Sequence, residues 1–142
     1  MDDTQFRLLR DQMVEEIVAH ASGAGIGGGA DPGLDPRVLG AMGRIPRHEF
    51  VPLEVQPYAY LDSPLPIGFG KTISQPYINA LMTALLDPRP TDAVLEIGTG
   101  MGYQAALLAE LSGTVYTVEI IDELAEQGRA RLDRLGYRNV RT

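Results

Sequence analysis

Apolar positions recur along the first part of the chain with the period of an α-helix. Residues 4–20 predict an amphipathic helix, because their apolar side chains return every three or four positions. A second, short helix is predicted from Asp35 as its N-cap and Pro36 as its first residue. Residues 22–33 are so rich in glycine that they predict a flexible linker. Together these features predict an N-terminal helical region over residues 1–45.

After residue 90 the pattern alternates between strand and helix. Apolar and β-favouring residues predict strands from Ala93 and over residues 114–119, and a third strand near Asn139. Helical spacing follows the first strand over residues 102–112 and the second over residues 122–135. Asp122 is the predicted N-cap of the later helix, and Gly136 is its predicted C-terminal stop. Such an α/β alternation predicts the first half of a doubly wound, Rossmann-like parallel sheet.

The segment between these two parts has neither period. Residues 58–76 predict an ordered irregular loop, and loops of this length in a compact domain are usually functional. The loop leads into a helix predicted to begin at Pro76, so Ser74 lies at or just before the N-cap. The Ser74 hydroxyl either satisfies a free helix N–H or contacts a substrate carboxylate, and the pattern alone leaves both open.

Composition narrows the class of protein. A net charge of −7 and a single lysine, Lys71, argue against a nucleic-acid surface. No apolar run approaches the roughly 18 residues that a membrane span needs, and the N-terminus is acidic where a secretory signal is basic. We therefore expect a soluble cytoplasmic protein without a membrane partner. The absence of cysteine excludes a thiolate nucleophile, and two distant histidines predict no metal site.

A run of glycines follows the first predicted strand, where backbone N–H groups and a helix N-terminus can approach a ligand. Gly98, Gly100 and Gly102 do not match the dinucleotide fingerprint, which requires its third glycine at the position of Tyr103. A nicotinamide dehydrogenase is therefore disfavoured.

Two acids indicate a different ligand. Glu96 lies at the C-terminal end of the first strand, where a carboxylate suits an amino group or a hydroxyl better than a phosphate. Glu119 ends the second strand 21 positions after Gly98, close to the ~20-residue spacing at which an acid meets ribose hydroxyls. A nucleoside with an amine-bearing tail and no phosphate fits both acids, and S-adenosyl-L-methionine has that description.

Two stretches of this sequence resemble the protein-L-isoaspartate O-methyltransferase family. They are PLPIGFGKTISQPY at 64–77 and VLEIGTGMGYQ at 94–104. The glycine motif alone would indicate only a class I methyltransferase, whereas TISQP at 72–76 is much more specific to the family. The likeness covers most of residues 35–142. Shorter similar stretches are PRHEFVP at 46–52 and YAY at 58–60.

The resemblance implies methyl transfer from S-adenosyl-L-methionine to the α-carboxylate of L-isoaspartyl residues in damaged proteins or peptides. The ester then closes to a succinimide, from which some normal aspartate is recovered, so the activity is protein repair. Residues 46–142 would then hold the active-site loop and an incomplete cofactor-binding domain, with Ser74 as a hydrogen-bond donor to the substrate. The cofactor-binding residues implied by the family are Ile67, Gly68, Phe69 and Gly70 along the cofactor, Glu96, Gly98, Thr99, Gly100 and Gly102 at its methionine end, and Glu119 and Ile120 at its ribose and adenine.

The sequence departs from the family at three places. Lys71 stands where bacterial relatives usually have glutamine, and it either attracts the substrate carboxylate or is an ordinary exposed lysine. The glycine-rich stretch at 22–33 lengthens a connection that is normally short. The family's sheet continues beyond the third strand, so we expect a C-terminally truncated member, a monomer if complete, whose first strand has an unpaired edge and whose sheet has an uncovered apolar face.

Two further interpretations stay open at the level of sequence. A related carboxyl methyltransferase that acts on a modified peptide would share the fold and the loop. A non-catalytic remnant would at most bind the cofactor.

Overall fold

Five α-helices and five β-strands are present in the computed structural model, which describes residues 1–24 and 34–142. The helices are α1 (Asp3–Ala24), α2 (Pro36–Met42), α3 (Pro76–Leu86), α4 (Tyr103–Leu111) and α5 (Asp122–Arg134). The strands are β1 (Leu65–Gly68), β2 (Lys71–Ile73), β3 (Ala93–Ile97), β4 (Thr114–Val118) and β5 (Val140–Arg141). Two 3-10 helices, Arg47–Phe50 and Leu53–Tyr58, lie between α2 and β1.

The N-terminal helices form where the apolar pattern predicts them. Met13 and Ile17 are buried on one face of α1, and α2 begins at Pro36 with the Asp35 carboxylate accepting a hydrogen bond from the Arg37 backbone N–H. Helix α1 extends to Ala24 and so includes the first three residues of the predicted linker. The rest of that linker, residues 25–33, lies outside the described residues.

The prediction of an irregular loop over residues 58–76 is wrong for its second half. Strands β1 and β2 pair there as an antiparallel hairpin in which Leu65 lies opposite Ile73. These strands have four and three residues, which is too short for an alternation of apolar and polar residues to be visible in the sequence. Of their residues, only Ile67 and Ile73 are buried. Their connection turns through residues 68–70, all with positive φ.

The three remaining strands form a parallel sheet in the order β3-β4-β5. Successive strands are added in one direction, and because crossovers between parallel strands are right-handed in nearly all proteins, α4 and α5 lie on the same face. The opposite face exposes Leu95, Ile97, Tyr116 and Val118, each at least half accessible to solvent. The predicted half of a doubly wound sheet is therefore confirmed, together with its uncovered face.

The two ends of α5 lie close to where the sequence pattern predicts them. Ile121, not Asp122, is the N-cap of α5, and Asp122 is instead its first residue, where a carboxylate interacts favourably with the helix dipole. Gly136 follows the end of α5 with φ of 85°, as predicted. Within residues 1–24 and 34–142, none of the helices combines the length and the apolar character needed to cross a membrane.

Candidate functional site

The turn between β3 and α4 is built on three glycines in the left-handed region. Gly98, Gly100 and Gly102 have φ of 93°, 54° and 99°, so a side chain at any of them would be strained. The backbone N–H groups of Gly98 and Thr99 donate to the Val118 carbonyl oxygen at 2.7 and 3.2 Å. These bonds hold the glycine turn, residues 98–102, at the C-terminal edge of the sheet.

Helix α5 passes close to the glycine turn through Gly128, a residue that the sequence analysis missed. A Cβ atom at Gly128 would lie 2.8 Å from the Gly100 carbonyl oxygen and 3.1 Å from Thr99 Cγ2. Only glycine therefore permits this approach of helix and turn. The sequence does offer one indication of this role. Glycine in a helix interior lowers helix stability by about 1 kcal/mol relative to alanine, so a glycine among good helix formers suggests a packing requirement.

A chain of hydroxyl groups joins the glycine turn to Glu96. Thr117 Oγ1 donates to Glu96 Oε1 at 2.5 Å, and Thr99 Oγ1 lies 2.6 Å from Thr117 Oγ1. When Glu96 is ionised it can only accept, so the single proton of Thr117 is used on Glu96 and Thr99 is the donor in the second bond. This role of Thr117 was not predicted, because the sequence of a strand does not determine which residue on the neighbouring strand its side chain contacts.

The Glu96 carboxyl is mostly buried, and this burial raises its pKa from 4.5 to about 7. Its hydrogen bond with Thr117 acts in the opposite direction, while the nearby charge of Glu119 adds to the increase. Near neutral pH this group is therefore divided between its neutral and its ionised form. A bound cation would favour the ionised form.

Glu119 is held in its ionised form by the backbone of the turn. Its Oε2 accepts from the Gly100 N–H at 2.9 Å, and its Oε1 accepts from the Ile121 N–H at 3.1 Å. Partial burial acts to raise the pKa of Glu119, but these backbone N–H groups outweigh it, and the pKa is lowered. The carboxylate thus occupies an N–H that a phosphate oxygen would use in a dinucleotide site.

Ser74 lies one residue before the N-cap of α3, which is Gln75. The Asp62 carboxylate, 15 residues earlier in the chain, caps this helix by accepting from the Tyr77 N–H at 2.9 Å. Within the described part of the chain the Ser74 hydroxyl makes no hydrogen bond, so the interpretation of Ser74 as a helix cap is wrong. Its side chain is instead available to a ligand.

Two adjoining cavities lie beside the glycine turn. The first, about 70 Å³, is lined by residues that include Ile67, Ser74, Thr99 and Gly100. The second, about 440 Å³, runs along β3 and is lined by residues that include Ser74 and Glu96. The first is too small for a nucleoside, because sites for such ligands occupy roughly 300–1,000 Å³. A ligand of that size would have to extend into the second cavity.

The structure brings some of the predicted site residues to these cavities and leaves others outside. Ile67, Ser74, Glu96, Gly98, Thr99 and Gly100 line one or both cavities. Gly102 lies behind the turn, where a Cβ atom would be 3.1 Å from Leu132 Cγ. Gly68, Phe69 and Gly70 form the hairpin turn, with Phe69 exposed, and Lys71 is exposed on β2. Glu119 and Ile120 follow β4, and Ile120 is 92% exposed.

Comparison with known proteins identifies relatives of most of the chain. The family model "Protein-L-isoaspartate(D-aspartate) O-methyltransferase" matches residues 31–142. A protein-L-isoaspartate O-methyltransferase of a Polaromonas species is 57% identical over 140 residues, which are 99% of this chain and 59% of the relative. One from Nitrosococcus oceani is 65% identical over 107 residues, which are 75% of this chain and 49% of the relative. The chain thus spans between about half and three fifths of the length of these curated relatives.

Solved structures give the same result for the fold. A protein-L-isoaspartate O-methyltransferase with 28% identity superimposes with a TM-score of 0.69, covering 89% of this chain and 40% of that protein. A protein described as a putative member of the family from Plasmodium falciparum, solved in complex with S-adenosyl-L-homocysteine, has a TM-score of 0.70 at 22% identity. This superposition covers 92% of this chain and 60% of the Plasmodium protein.

Proposed function

Because the chain belongs to the protein-L-isoaspartate O-methyltransferase family, we propose that it methylates the α-carboxylate of L-isoaspartyl residues in damaged proteins or peptides. S-adenosyl-L-methionine, when bound, supplies a methyl group that is activated by the sulfonium charge. A substrate carboxylate is already ionised near neutral pH, so the reaction needs no general base. The residues of the chain act by binding, orienting and excluding water.

The observation that carries the choice of cofactor is the pair of acids beside the glycine turn. The Glu119 carboxylate already accepts from the Gly100 N–H, and the Glu96 carboxyl lies in the cavity along β3. A pyrophosphate placed there would meet two acids and would find this N–H occupied. An ammonium group, by contrast, would gain a mostly buried carboxylate that has Thr117 as its hydrogen-bond donor.

Ser74 is the proposed contact to the substrate carboxylate. It lines both cavities, and its hydroxyl has no partner among the described residues. A hydroxyl that donates to one carboxylate oxygen leaves the other oxygen free to attack. The proposed role of Ser74 is therefore to orient the nucleophile, and it involves no proton transfer.

The test combines cofactor binding with turnover. We expect calorimetry to detect saturable binding of S-adenosyl-L-homocysteine, and we expect transfer of labelled methyl groups to an isoaspartyl peptide but not to the same peptide with normal aspartate. Ser74→Ala should keep the binding and lose at least about tenfold in turnover. Ser63→Ala is the matched control, because Ser63 is exposed and, among the described residues, its hydroxyl donates only to the Pro64 carbonyl oxygen, at 3.3 Å. If the protein binds S-adenosyl-L-homocysteine but methylates no isoaspartyl peptide, the proposed activity is refuted and only cofactor binding remains. If it does not bind S-adenosyl-L-homocysteine, both the activity and the cofactor are refuted.

A further inference from the structure

Arg47 is fully buried, with 0% of its surface accessible, although it carries a charge. Its guanidinium group donates to the Ala59 carbonyl oxygen at 2.7 Å, to the Ser74 carbonyl oxygen at 2.6 Å and to Asn79 Oδ1 at 3.2 Å. The same group lies 4.6 Å from the centre of the Tyr103 ring. None of these four partners is a carboxylate.

Among the described residues, Arg47 has no carboxylate partner, and burying a cation without one costs free energy. Burial lowers the pKa of the Arg47 guanidinium, and the Tyr103 ring beside it acts in the opposite direction. Even a buried ion pair can often be replaced by apolar groups of similar volume with no loss of stability. The charge alone therefore does not account for arginine at this position, whereas the three hydrogen bonds of its guanidinium group do.

These hydrogen bonds connect the segment that carries Ser74 with α4, the helix that follows the glycine turn. Asn79, which accepts from Arg47, donates through Nδ2 to Gln104 Oε1 at 2.7 Å. Gln104 in turn donates to Thr83 Oγ1 at 2.8 Å. Gln104 is the second residue of α4 and lines both cavities. A continuous network thus runs from the Ser74 carbonyl to the start of α4.

We propose that Arg47 is a positioning residue that sets the place of the Ser74 hydroxyl relative to the glycine turn. The Ser74 carbonyl is held by Arg47, so the backbone that carries the hydroxyl cannot move independently of Asn79 and Gln104. The consequence for turnover rests on the proposed function, in which Ser74 orients the substrate carboxylate. A displacement of about 1 Å in such a group can cost 100-fold in rate.

The first variant is Arg47→Lys, which keeps the charge but cannot reach three oxygens on separate segments with one ammonium group. We expect kcat for the isoaspartyl peptide to fall about 10- to 100-fold. In the Ser74→Ala background the same change should lower kcat no further, because Arg47 acts through Ser74. Amide hydrogen exchange over residues 72–79 should become faster. Arg131→Lys is the matched control, since Arg131 is partly buried and donates to the Glu49 carbonyl at 3.1 Å without contacting Ser74.

A merely structural role predicts a different result. It would lower kcat by the same factor with and without the Ser74 hydroxyl, and that outcome overturns the proposal, as does unchanged amide exchange over residues 72–79. If the lysine variant does not fold, Arg47→Met removes the buried charge and is judged by the same two measurements. If the wild-type protein methylates no isoaspartyl peptide, the proposed function fails, and amide exchange alone decides whether Arg47 holds the Ser74 segment.

Discussion

Replacing Glu96 by glutamine should make the protein more stable at alkaline pH. The change is nearly isosteric, and a glutamine Oε1 can still accept the hydrogen bond that Thr117 donates to Glu96. The variant has no carboxyl group to ionise, although its amide NH2 replaces one carboxylate oxygen by a donor. Its effect on the free energy of unfolding therefore measures what ionisation of Glu96 costs the folded protein.

The magnitude follows from the two pKa values. Glu96 has a pKa of about 7 in the folded protein, against 4.5 in an exposed chain. Between these values the folded state retains a proton that the unfolded state has released, so stability falls as the pH rises from 4.5 to 7. Above pH 7 the full cost is present, about 3 kcal/mol at 1.36 kcal/mol for each pH unit. The Glu96→Gln variant does not pay this cost at alkaline pH, and at pH 4.5 it should equal the wild type.

The assay is urea-induced unfolding followed by circular dichroism at pH 5 and pH 8. We expect Glu96→Gln to be more stable than the wild type by up to about 3 kcal/mol at pH 8, with most of the difference gone at pH 5. Glu119→Gln is the control, because its change in the free energy of unfolding should have the opposite sign. The pKa of Glu119 is lowered, so its ionised form stabilises the fold and this variant should be less stable at pH 8.

A second measurement on the same variant connects stability to binding. An ammonium group on the ligand would find no carboxylate in Glu96→Gln, so the affinity for S-adenosyl-L-homocysteine at pH 8 should fall while the stability rises. A variant that is less stable than the wild type at pH 8, or equally changed at both pH values, would refute the burial argument. Unchanged affinity would refute the assignment of Glu96 to the amino group.

Two more predictions concern the glycine turn and its hydroxyl chain. Gly128→Ala should destabilise the protein by about 1–3 kcal/mol, because its Cβ would lie too close to the Gly100 carbonyl, whereas Gly40→Ala, at a solvent-exposed position of α2, should stabilise it by about 0.5–1 kcal/mol. Equal effects in thermal unfolding would contradict the close approach of α5. In Thr117→Val the pKa of Glu96 should rise further, so titration calorimetry should find that S-adenosyl-L-homocysteine binding reaches half of its maximum at a higher pH than in the wild type. An unmoved midpoint would show that Thr117 does not support the ionised form of Glu96.

The elements that depend on neighbouring residues were predictable from sequence. Glycines at 98, 100 and 102 specify a turn with positive φ because other residues adopt that conformation only with strain. Asp35 before Pro36 specifies a helix start within a few residues. The helical and strand periods of the C-terminal part likewise determined the order of strands and helices, and with it the parallel half-sheet.

Other features depend on residues that are distant in sequence, and only the tertiary structure decided them. Asp62 caps α3 from another part of the chain, which leaves the Ser74 hydroxyl available. Thr117 supports Glu96 from the adjacent strand, Gly128 admits α5 to the turn, and Arg47 joins three segments through one buried group. Backbone conformation is encoded over a few residues, whereas burial and hydrogen-bond partners are determined only when separate segments pack together. The sequence of this protein therefore determined where a site would form, and packing decided which groups surround it and which protons they hold.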